Sequence, residues 1–219
     1  MTARLHDRLF ATCGILFVVL ELGGAFSAMG TGKTHSLTVS STTSDIASAL
    51  AHPVGTGTWI GAYMEIVSVF FFLAFAVWVT EKLGGGVLGS IARLTAAANA
   101  GATIVSLGIG DAISYGAGRG MTVPVARGLV IANEAAYVCS WFVVAGFLAA
   151  VGLLALQTGR RLAGRSALAI VALTLVLTPL SVDNLGQLTQ LLWPIWVVGV
   201  SIALARAPRR ARTAVLAGT

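Results

Sequence analysis

Charge is what this sequence has least of. Only 10% of its 219 residues are Asp, Glu, Lys or Arg, where an ordinary soluble domain carries about 25%. With 57% hydrophobic residues and a mean hydropathy of +0.89, the chain cannot cover a water-soluble globule with a charged shell. Cysteine is almost absent too. Cys13 and Cys139 lie in different apolar runs and in no metal-spacing motif, so they read as two small buried apolar residues. No phosphate loop, nucleophile elbow, zinc-binding helix or dinucleotide fingerprint occurs, and no cofactor is expected. The net charge of +6 raises nucleic acid as a partner. The basic residues follow a membrane pattern instead, which excludes that reading.

What the chain does contain is a succession of apolar runs long enough to cross a bilayer. They predict an all-α integral membrane protein with a single domain over residues 1–219. Its six transmembrane helices are expected at about 9–29, 58–79, 88–115, 127–156, 166–182 and 185–205, with a polar outer loop over 30–57. The first run has two readings. A basic start and the small-residue stretch Ala25-Phe26-Ser27-Ala28 suit a cleaved signal peptide, whereas Glu21 inside the run favours a retained span. In the loop, Ser44-Asp45 fits the cap of a short helix through Ile46, Ala47 and Leu50 that stops before Pro53. That helix is either a lid or part of a solvated connector. Trp59 and Trp78 frame the second span as interfacial anchors, and Gly84-Gly85-Gly86 makes the following turn. In the third span, Ala98, Ala102, Ser106, Gly110 and Ser114 form a smooth ridge that places this helix inside the bundle. Asn99 and Asp111 are its buried polar candidates. Pro194 is expected to kink the sixth span.

Orientation follows from the basic residues. With both termini cytoplasmic, eleven of the fourteen fall inside, and only Lys33, Arg119 and Arg127 fall outside, as the positive-inside rule requires. The expected location is a cell membrane, the inner membrane of a bacterium, with membrane lipids as partners. At least one of Arg119 and Arg127 is expected to pair with Asp111 or Asp183 at the outer rim.

The acids carry the functional argument. An ionisable group at membrane depth is expensive and marks a site by default. At about 1.5 Å per helical residue, Glu65 and Glu134 lie roughly 10 Å below the outer ends of their spans, and Glu21 reaches that level from the opposite side. Tyr63, Tyr137, Trp141, Trp193 and Trp196 share the layer. Asn133, Gln187 and Gln190 add hydrogen-bonding capacity, and no Lys or Arg lies mid-span. The expected site is one outer-half cavity lined by Glu65, Glu134, Tyr137 and Trp141, with Glu21 and Trp193 as further members. Glu134, Glu65 and Glu21 are the candidate catalytic acids. Tyr63, Asn133, Tyr137, Trp141, Trp193, Trp196 and Asp111 are the candidate ligand-binding residues. Such a layer suits a lipophilic small molecule that is bound passively. It also suits a membrane-embedded acid-catalysed cyclase or isomerase, in which a protonated glutamate is general acid and aromatic faces steady a cation. A third reading is a proton relay in a small-molecule transporter, and a purely structural role is the fourth. His35 and His52 lack ligand spacing, so no metal is expected.

Gly61-Ala62-Tyr63-Met64-Glu65-Ile66-Val67-Ser68-Val69, running into an aromatic-rich span, resembles the second span of small bacterial membrane proteins of the domain-of-unknown-function 4386 family. The stretch from Asn133 through Trp141-Phe142 to the basic turn at Arg160 is similar to a later span of that family. The resemblance implies a multi-span membrane protein and supplies no catalytic residues. In chemistry alone, the acid-and-aromatic layer is also similar to small integral-membrane terpene cyclases, without their tryptophan–glutamate pairings.

Overall fold

Each long apolar run forms one helix, which satisfies its backbone N–H and C=O groups internally, as crossing a bilayer would require. The computed structural model of the chain describes residues 3–29, 34, 37–180 and 186–206. Among these are seven helices and no strand: α1 (Ala3–Met29), α2 (Thr43–Leu50), α3 (Thr56–Lys82), α4 (Gly86–Gly116), α5 (Val123–Gln157), α6 (Arg161–Leu180) and α7 (Gly186–Arg206). Five of them, α1 and α3 to α6, are long and apolar enough to cross a membrane; the apolar part of α7, Leu191–Arg206, is shorter. The turns follow from local chemistry. Gly84, Gly85 and Gly86 all adopt positive φ (104°, 67° and 71°), a conformation open to glycine at little cost, and so reverse the chain between α3 and α4. Pro124 stands in the first turn of α5, where its missing N–H costs nothing. The helix α7 continues through Pro194.

The six long helices close into a ring. Each packs on its neighbour in the chain, and α7 returns to pack on α1. The centre is aromatic. Phe17 of α1 lies 5.0 Å from Trp193 of α7 and 5.4 Å from Phe72 of α3, and Phe72 stands edge-on to Phe147 of α5 at 5.3 Å. Each such pair adds about 0.5–1.5 kcal/mol beyond the area it buries.

Three expectations are corrected. The most buried of the five long apolar helices is α5, and α4 is far less buried. The ridge on α4 explains why. Ser106 and Ser114 are buried while Ala98 is exposed, so only the far half of the ridge meets other helices. The closest backbone approaches lie elsewhere: Gly24 on Gly61 and Glu65, and Gly152 on Gly164. Trp78 is not an interfacial anchor, being 2% exposed, with its indole N–H donated to Asp7 Oδ1 at 3.4 Å. The short helix is capped by Thr42, not by Ser44. Thr42 Oγ1 accepts from the Asp45 N–H and Asp45 Oδ2 accepts from the Thr42 N–H, a reciprocal capping box.

The helix α2 is docked. Ile46 is fully buried among Ile113, Ala117, Ala126 and Val130, a burial that contributes about 1.5–3 kcal/mol. The Gly118 N–H donates to the Leu50 carbonyl at 2.8 Å, which ties the end of α2 to the α4–α5 connection. That end of the ring is the α2 end.

Candidate functional site

The site lies where α1, α3, α4 and α5 face one another, in the half of the ring toward the α2 end. Glu21 is one helical turn beyond Phe17, so its carboxylate sits directly above the aromatic centre. The Ser68 hydroxyl lies 2.7 Å from Glu21 Oε2 and 2.6 Å from the Glu65 carbonyl oxygen. Its single proton serves one of the two at a time. Glu65 itself is placed by a close helix contact. A Cβ on Gly24 would stand 2.6 Å from Glu65 Cγ and 2.8 Å from the Gly61 carbonyl oxygen, so α1 can approach α3 here only because residue 24 has no side chain.

The carboxylates are near enough to influence one another and a neighbouring phenol. Glu21 and Asp111 act through space on Glu65, and Glu21, Glu65 and Glu134 act on the Tyr137 hydroxyl. Four helices thus each contribute one acid to the layer. No lysine or arginine occurs between Phe10 and Met29, Thr56 and Glu81, Leu94 and Gly116, or Gly128 and Gln157. Among the described residues, no three His, Cys, Asp or Glu side chains meet closely enough to hold a metal ion between them. His35 lies outside those residues.

One cavity opens into this layer. Its floor and walls are Phe17, Phe72, Val69 and Trp193, and its polar lining is Glu21, Asn99 and Thr103. The space open to the centre of a water molecule is about 20 Å³, enough for one water or one small ion.

The candidate residues therefore divide. Glu21 and Trp193 line the cavity. Glu65, Glu134, Asp111 and Tyr137 belong to the same electrostatic layer but do not line it. Tyr137 stands edge-on to Trp141, with ring centres 5.2 Å apart. The buried indole N–H of Trp141 is close to the phenol yet makes no hydrogen bond among the described residues. Asn133 holds two helices together, its Oδ1 accepting from the Ser106 hydroxyl at 2.8 Å. Trp196 donates its indole N–H to the Ala163 carbonyl at 3.1 Å and so joins α7 to α6. Tyr63 is 71% exposed on the surface of α3. Asp183 and the side chains of Gln187 and Gln190 lie outside the described residues.

The two arginines near the α2 end have the following contacts, and Asp183 lies outside the described residues. Arg119 lies over the Tyr115 ring at 4.6 Å and donates to the Tyr115 carbonyl. Arg127 donates to Thr43 Oγ1 at 3.4 Å, toward the start of α2.

Three residues gained weight only in three dimensions. Thr103 and Ser68 look like ordinary helix hydroxyls in the sequence. Asp7 forms an ion pair with Lys82 at 2.6 Å, both half-buried, and so bolts the start of α1 to the end of α3. An acid among the basic residues of the first segment was the available signal. Comparison of the chain with protein-family models, with curated proteins and with solved structures gave no match.

Proposed function

We propose that the chain is a six-span membrane protein with both termini cytoplasmic, and that its carboxylate layer takes up the coupling cation of a small-solute transporter. On this reading the α2 end faces outward. Kinship with the domain-of-unknown-function 4386 family and residence in a bacterial inner membrane belong to the same proposal, on the residues quoted above.

The observation that supports it is the electrostatic coupling of Glu21 and Asp111 to Glu65, and of Glu21, Glu65 and Glu134 to Tyr137, across four helices, in stretches of those helices that hold no Lys or Arg. Gathered carboxylates in a medium of low dielectric repel one another strongly, and a bound cation relieves that repulsion. Ionisable groups in such a place mark ion pathways. Coupling-ion sites near the middle of a helix bundle are the working part of secondary transporters. The cavity volume favours the same reading. A drug-sized lipophilic ligand needs roughly 300 Å³ or more, while this space fits an ion or a water. The acid-catalysed enzyme and the passive lipophilic binder both need the larger volume.

The test uses the full chain in proteoliposomes, with amino acids, sugars and polyamines supplied together outside. A proton gradient and, separately, a sodium gradient are imposed. One of them should dissipate faster than in empty vesicles, and Glu65→Gln and Glu134→Gln should slow it. Dissipation equal to that of empty vesicles under both gradients overturns the reading. Reporter fusions after Arg165 and at the C-terminus should read cytoplasmic, and one near Ser44 external.

A further inference from the structure

We infer that the cavity lined by Glu21, Asn99 and Thr103 binds one desolvated monovalent cation of sodium size. The inference rests on the cation-uptake reading and names its ion.

Asn99 is the first reason. It is 6% exposed, its side chain lines the cavity, and it makes no hydrogen bond among the described residues. A buried amide is ordinarily paired, because leaving it bare costs the full desolvation of its polar atoms. Thr103 is the second. A threonine in a helix returns its hydroxyl to the preceding turn, as Thr95 does on this same helix, bonding the carbonyls of Ile91 and Ala92. Thr103 makes no such bond and lines the cavity instead. Four residues apart, Asn99 and Thr103 share one face of α4, and both meet the cavity that Glu21 lines from α1. Ser68 engages one carboxylate oxygen of Glu21, which leaves the other for a ligand.

Charge and size then select the class. One carboxylate with two neutral oxygens balances a single positive charge, whereas divalent sites add further carboxylates. A space of about 20 Å³ takes a bare small ion and no organic ammonium. The rings of Phe17, Phe72 and Trp193 form the apolar side of the cavity, and an aromatic face attracts a cation placed over it.

The experiment follows thermal unfolding of the purified full chain in detergent at fixed pH, in NaCl against KCl and choline chloride at equal ionic strength, together with direct binding of radioactive sodium. Sodium should raise Tm saturably by a few degrees, and potassium and choline should not, because only a bound ligand stabilises by mass action. Thr103→Val, which removes the oxygen and keeps the shape, and Asn99→Leu should each weaken the sodium midpoint at least tenfold. Thr103→Ser should retain it. A Tm indifferent to sodium identifies a buried water and overturns the inference, as does a sodium response that survives in both Thr103→Val and Asn99→Leu. Proton-driven flux without sodium binding sinks this inference and leaves the transport reading standing. Sodium binding without flux upholds the site and sinks transport.

Discussion

The Ser68 hydroxyl stands between Glu21 Oε2 at 2.7 Å and the Glu65 carbonyl at 2.6 Å, and it is the described donor to the Glu21 carboxylate. Ser68→Ala should therefore cost about 1–3 kcal/mol, the penalty for stripping a donor from a buried acceptor. Ser68→Thr keeps the hydroxyl and should lose less. Thermal unfolding in detergent checks the order. Equal stability of Ser68→Ala and the parent would show that Glu21 does not depend on this donor.

Gly24 sets the spacing of α1 and α3. Gly24→Ala places a methyl 2.6 Å from Glu65 Cγ, so the helices must part, and overpacking of this kind costs about 1–3 kcal/mol. The matched control is Gly199→Ala, where nothing lies within 4 Å of the added carbon. That variant should melt at or above the parent temperature. Comparable losses for both variants would remove the special role of Gly24.

The pair of Asp7 and Lys82 fastens the opposite end of the same two helices. Asp7→Asn should destabilise by about 1.5–3 kcal/mol, the range for a hydrogen bond to a charged group. A double-mutant cycle that includes Lys82→Met isolates the coupling. A coupling energy near zero would make the contact incidental.

The capping box on α2 gives a pH prediction. The Thr42 side chain, and then its backbone N–H, hold the Asp45 carboxyl below the ordinary carboxylate range. A depressed folded value means that the stabilisation is present above the unfolded value and is lost as pH falls through the folded one. Exchange protection of the amides of α2 should thus be unaffected by ionisation of Asp45 between about pH 5 and 8. Asp45→Asn should reproduce the acid form at neutral pH, with faster exchange over residues 43–46. Unchanged exchange in that variant would show that packing of Ile46 alone holds the helix.

Much of this fold was legible because it follows from composition. Long apolar runs, a polar stretch before Thr56 and the three consecutive glycines after Leu83 dictate where helices start and stop. Counting residues also pointed to Glu21 and Glu65 as neighbours, and the Ser68 hydroxyl does lie between the Glu21 carboxylate and the Glu65 carbonyl. Direction around each helix was not legible. The hydrophobic pattern of a lipid-facing helix is apolar on every side, so nothing in the sequence told that Tyr63 points outward or that Trp196 turns to Ala163. For the same reason the ridge on α4 was read as central when α5 occupies that place. Unpaired groups were invisible as well. That Asn99 makes no hydrogen bond among the described residues is a property of the assembled ring, and no spacing along α4 announces it.

The contact that closes the ring joins two helices made far apart in time. The face of α1 that carries Gly14 and Phe17 meets Ser201 and Trp193 of α7, and every other described helix is synthesised between them. Until α7 arrives, that face of α1 lacks the side chains that cover it in the ring. Nascent chains arrested before α7 should be the form that an insertase or a protease recognises, and the arrival of α7 is the step that hides it.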